Sequence, residues 1–136
     1  MRISSLLYLT AAALSLLGAA AHEIVGAPMV LSPLADTNLP QNVIWLHHFS
    51  WHVGTVAVLG MAALYIVAMR HSAGRLFAMV ATAMSIGFAV LAIGLASFGN
   101  AVLWTTPAPY PWALVAAVGL LGVLLTPRSP SVASAD

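Results

Sequence analysis

The chain alternates four long apolar stretches with short polar breaks. A membrane-spanning helix needs about 20 predominantly apolar residues at 1.5 Å rise each. On that criterion the pattern predicts spans over about 3–21, 43–69, 76–98 and 111–125. The second is longer than a bilayer core requires, so its start projects beyond the hydrocarbon. The fourth is short, a mismatch met by local thinning or by burial against neighbours. Pro107, Pro109 and Pro111 lead into it as a stiff entry segment. Gly26, Pro28 and Pro33 predict a turn after the first span, inside a long loop from Glu23 to Asn42. The expected fold is all-α, an integral membrane four-helix bundle formed by residues 1–128, followed by a disordered tail over 129–136.

The polar residues divide between the two ends of these spans. Arg2, Arg70, Arg75 and Arg128 flank breaks on one side, and arginine in short loops marks the cytoplasmic face. The predicted topology is therefore N-in/C-in. Trp45, Trp51, Trp104 and Trp112, together with His22, His47, His48 and His52, fall on the opposite, outer side. Amphipathic indole rings favour that boundary.

Composition supports a bilayer as the solvent. The chain is 62% hydrophobic and 5% charged, where a soluble domain is about a quarter charged. Four scattered arginines and no lysine make no basic patch, so nucleic acid is not an expected partner. Cysteine is absent, which excludes disulfides, thiolate metal sites, covalent c-type haem attachment and thiol redox chemistry. No acidic residue lies in mid-span, and no phosphate-binding glycine loop or serine-nucleophile motif is present.

The third span carries small residues at helical spacing: Ala78 with Thr82, Ala81 with Ser85 and Ala89, and Ala92 with Ala96. The fourth has Ala113 with Ala117. Such stripes let backbones approach closely in lipid. The first span also resembles a secretory signal: Arg2, an apolar core to Gly18, then Ala19-Ala20-Ala21. Retention as a bundle helix is the expectation. Cleavage would instead leave His22 at a free N-terminus, able to bind copper through amine and ring together, with His47 or His48 completing the site.

The candidate chemistry lies in the outer histidines. His48 and His52 are four apart and share a helical face that Thr55 continues, while His47 points about 100° away from His48. Counting from Met69 places His52 roughly 25 Å and His48 roughly 31 Å along the helix, and counting from Ile3 places His22 roughly 28 Å along its own. All three fall near the outer edge of a hydrocarbon core about 30 Å thick. Glu23, Asp36 and Asn100 are the other polar groups able to join them. An ionisable group near the bilayer is a functional hypothesis, and neutral imidazole is a common metal ligand.

Three readings follow. The histidines are interfacial anchors; or His22, His52 and His48 hold a b-type haem, or a copper, zinc or iron ion with His47 and Glu23 as further ligands; or His52 serves a proton or quinone site. Phenylalanine stands in H-F-S-W-H where a zinc protease needs glutamate, so hydrolytic zinc chemistry is not expected.

The pattern His22-x-x-x-Gly26, Pro33-Leu34, Trp51-His52-x-x-Thr55 resembles uncharacterised small four-helix bacterial inner-membrane proteins. The similarity covers the first half of the chain. It implies a four-span fold with helix one retained, a bacterial inner-membrane location, and His22 and His52 as the site positions carried over. His47 and His48 lie outside that pattern. Two function classes remain open: a redox or metal-handling protein with a bound cofactor, and a structural or assembly subunit of a larger membrane complex or homo-oligomer. No residue set here assigns a nucleophile, a base and a substrate pocket together.

Overall fold

The computed structural model describes residues 2–127, which are helical apart from short turns and contain no strand. The helices are α1 (Ile3–Ala21), α2 (Ala27–Leu31), α3 (Gln41–Arg70), α4 (Gly74–Gly94) and α5 (Pro111–Leu125). π turns follow α1 (His22–Gly26) and α4 (Leu95–Gly99), and 3-10 turns cover Ser32–Asp36 and Ala101–Thr105. The sequence-predicted spans coincide with α1, α3, α4 with its π turn, and α5. Arg128 and the tail over 129–136 lie outside the described residues.

The expected turn at Gly26, Pro28 and Pro33 does not form. The helical path runs on from Ile3 to Asp36, 34 residues. Proline inside an α-helix lacks a donor and collides with the carbonyl four residues back. Here Pro28 is the second residue of α2 and Pro33 the second of the 3-10 turn, first-turn positions that proline tolerates. The π turn before Pro28 closes with the Ala27 N–H donating to the His22 carbonyl, five residues back. The chain reverses later, where Thr37 and Pro40 are extended. Thr37 Oγ1 donates to the Leu34 carbonyl there, at 2.8 Å.

Each of α1 and α4 packs against both α3 and α5, so the four long helices form a ring. Their interior is built from small residues around a few large ones. Ala11, Ala12 and Ser15 of α1 and Ala78, Ala81 and Ser85 of α4 are buried, as the small-residue pattern of the third span leads one to expect. Tyr8, Met61, Tyr65 and Val115 fill the space between. The Tyr8 and Tyr65 rings stack with centroids 6.2 Å apart. On α5 the small-residue expectation is corrected. Ala113 and Ala117 are exposed, while Gly119 and Gly122 face inward. A Cβ on Gly122 would lie 2.6 Å from Tyr8 Cε1, and one on Gly119 would lie 2.6 Å from Thr82 Oγ1 and collide with the Tyr65 hydroxyl. Both tyrosines are admitted because α5 carries glycine there.

Several hydroxyls in the bundle bond within their own helix or across to a neighbouring one. Ser15 and Ser85 donate to the carbonyls of Ala11 and Ala81 at 2.8 and 2.9 Å. Tyr65 pairs with Thr82 at 3.1 Å. Thr126 donates to the Gly122 carbonyl, so Tyr8 is the donor in its 2.7 Å bond to Thr126 Oγ1. The outer surface is the apolar one, with Leu17, Val56, Leu76, Val90 and Leu124 exposed. The stretches Ile3–Asp36, Gln41–Arg70 and Gly74–Gly99 are each long and apolar enough to cross a membrane, and α5 is a shorter apolar helix of 15 residues. This matches the architecture of a multi-pass bundle.

Candidate functional site at the histidine end

The π turn after α1 and the second quarter of α3 meet side by side, and the residues of the H-x-x-x-G and W-H-x-x-T patterns come together there. The His22 ring lies flat on the Trp51 indole, centroids 3.9 Å apart and planes 8° from parallel. Its Nε2–H donates to the Trp51 carbonyl at 3.2 Å. Gly26, one position beyond Val25, leaves room for that indole: a Cβ there would lie 2.9 Å from Trp51 Cζ2 and 3.3 Å from Cη2. Trp51 Nε1 is buried without a hydrogen-bond partner among the described residues.

Glu23, the next residue after His22, reaches the other two positions of the pattern. Its Oε1 accepts from His52 Nδ1 at 3.1 Å and from Thr55 Oγ1. Residues 52 and 55 are three apart and share a helical face, so one carboxylate oxygen takes both. The His52 side chain is 54% exposed and that of Glu23 32%, so the pair sits at the surface of the bundle rather than in its core. A neutral imidazole has one N–H. With His52 donating from Nδ1, its Nε2 carries the free lone pair.

The remaining candidates do not converge on this point. His47 is exposed and donates from Nδ1 to the Val43 carbonyl of its own helix at 2.9 Å. His48 packs against Trp45, ring centroids 5.2 Å apart. Asn100 caps the following 3-10 turn, its Oδ1 accepting from the Val102 N–H at 3.0 Å. Asp36 is exposed at the end of its 3-10 turn. Among the described residues, no three histidine, aspartate or glutamate side chains are placed to hold one metal ion. Of these residues, Glu23 and His52 are brought together, while His22, His47 and His48 each have other partners.

The sequence marks Glu23 as able to join the histidines, but not that one of its oxygens takes both His52 and Thr55. The i, i+3 spacing of His52 and Thr55 was the available signal. What hid it was the assumption that Glu23 began a loop instead of continuing a helix against α3. Compared with family models, curated proteins and solved structures, the chain matches none of them.

Proposed function

We propose that this chain is a multi-pass protein of a bacterial inner membrane, arginine end inside and histidine end outside, and that it presents His52 as an imidazole ligand to a haem iron or to a single copper, zinc or iron ion. The observation that carries this reading is the bond from His52 Nδ1 to Glu23 Oε1. Ligating histidines are typically held in this manner, the second ring nitrogen donating to a carboxylate that fixes tautomer and orientation and raises ligand basicity. Thr55, donating to the same oxygen, holds the carboxylate in turn. One such imidazole per chain would supply one ligand to a haem iron, with any further ligand coming from a second copy or from a larger complex. Retention of α1 belongs to the same proposal, because Glu23 is positioned by the helix that α1 begins.

A second reading is a structural or assembly subunit with no cofactor of its own. It is favoured by the fact that the His22–Trp51 and Glu23–His52–Thr55 contacts already tie the π turn to α3.

Purification in mild detergent, with an absorbance spectrum and elemental analysis on one sample, separates the two. The ligand reading expects a stoichiometric haem or metal that His52→Ala loses. For Glu23→Gln it expects affinity weakened by about 10–100-fold, the usual cost of removing an outer-sphere partner. A folded preparation free of haem and metal, co-purifying with a larger complex, would move the assignment to the subunit reading.

A further inference from the structure

The opposite end of the bundle holds a cavity of about 760 Å³ between the start of α1, the α3–α4 turn and the end of α5. Its size falls within the range of about 300–1,000 Å³ common to ligand pockets. Arg2 and Arg75 both line it, with the hydroxyl-bearing Ser4, Ser5 and Ser72. Arg75 Nε is buried and has no hydrogen-bond partner among the described residues. Arg75 as a whole is only half-buried, but a buried Nε–H with no partner is costly and calls for an acceptor.

No carboxylate among the described residues supplies one. The chain has three acidic residues, and the two described, Glu23 and Asp36, belong to the histidine end. The backbone just before Arg75 is held close to α3. Gly74 packs directly on the end of α3, where a Cβ would lie 3.0 Å from the Ala68 carbonyl carbon and collide with its oxygen. Arg75 therefore enters the cavity from the first turn of a 21-residue helix, whose N-terminal partial charge also favours an anion.

We infer that this cavity binds a phosphate-bearing anion between Arg2 and Arg75. The guanidinium fork matches phosphate oxygens in geometry, and the serine hydroxyls supply neutral donors. Two sources share this chemistry: the headgroup of an anionic phospholipid, for which basic pockets between spanning helices are suited, and free phosphate. Arg2 and Arg75 thus have a role beyond the one their place at a span end suggests.

The test uses the full chain, delipidated in a zwitterionic detergent. Binding of phosphatidylglycerol against phosphatidylcholine is read by native mass spectrometry, and binding of inorganic phosphate by phosphorus NMR. Arg70 is the internal control, since it is exposed at the same end but does not line the cavity. The expected result is binding of phosphatidylglycerol or phosphate that Arg2→Gln and Arg75→Gln each weaken by about tenfold, as for loss of a charge-assisted hydrogen bond, while Arg70→Gln leaves it unchanged. Phosphatidylglycerol binding alone identifies a lipid headgroup, and equal sensitivity with inorganic phosphate identifies the free anion. Should Arg75→Gln fail to fold, Arg75→Lys keeps the charge, loses the fork and is expected to bind more weakly than the parent. Equal losses in Arg70→Gln and Arg75→Gln, or no preference over phosphatidylcholine together with no phosphate binding, would overturn the inference.

Discussion

His22 and Trp51 lie face to face, 3.9 Å between ring centroids, and this stack seats the indole directly over Gly26. Gly26→Ala would place a methyl group 2.9 Å from Trp51 Cζ2, on a ring with no flexible end to yield. Overpacking of this kind costs about 1–3 kcal/mol. The expected outcome is a lower unfolding midpoint in detergent titrations followed by circular dichroism. In a Trp51→Phe background, where the six-membered indole ring is gone, the same substitution is expected to cost much less. A double-mutant cycle with no coupling would contradict the contact.

The glycines of the bundle fall into two groups that a single substitution type distinguishes. Gly119→Ala and Gly122→Ala drive a methyl group into Tyr65 and Tyr8, and each is expected to destabilise by about 1–3 kcal/mol. Gly60 and Gly87 have open space where a Cβ would go, so alanine there is expected to be tolerated. Thermal melting of all four variants in one detergent checks this. A uniform response would show that α5 does not pack as described.

Removal of residues 1–21 would strip Tyr8, Ala11, Ala12, Ser15 and Ala19 from the core and leave Tyr65 and Gly122 without their partner. Mass spectrometry of the purified protein is therefore expected to find residues 3–21 still joined to the rest of the chain. A mass beginning at His22 would contradict the retained helix. It would also redirect attention to copper binding by the free amine and ring of His22.

Much of the bundle was legible in the sequence because long apolar runs separated by short polar breaks read directly as long apolar helices. The inward stripe of α4 was legible for a related reason, since Thr82 and Ser85 mark its phase among larger apolar neighbours. In α5 every position is apolar, so no polar residue marks the buried face, and the sequence does not distinguish the exposed Ala113 and Ala117 from the buried Gly119 and Gly122. The run of α1 past Pro28 was hidden because glycine and proline usually punctuate helices; their placement at first-turn positions shows only in the backbone. At the site, His22, His52 and Thr55 were legible as a pattern, but their arrangement was not. His22 is turned onto Trp51 instead of toward His52, and Glu23 is the group that joins His52 to Thr55. The arginine-lined cavity was not legible because Arg2 and Arg75 lie far apart in the sequence and line one cavity only in the fold.

The most direct test of the central claim, that Glu23 holds His52 ready to ligate through Nε2, is nitrogen NMR of the histidine-labelled protein in micelles at pH 8, without added metal. The account expects His52 as the Nδ1–H tautomer with an unprotonated Nε2, and loss of that preference in Glu23→Gln. His22 and His71, whose bonding partners require Nε2–H, serve as the opposite reference in the same spectrum. A His52 signal with Nε2 protonated, or one unmoved by Glu23→Gln, would contradict it.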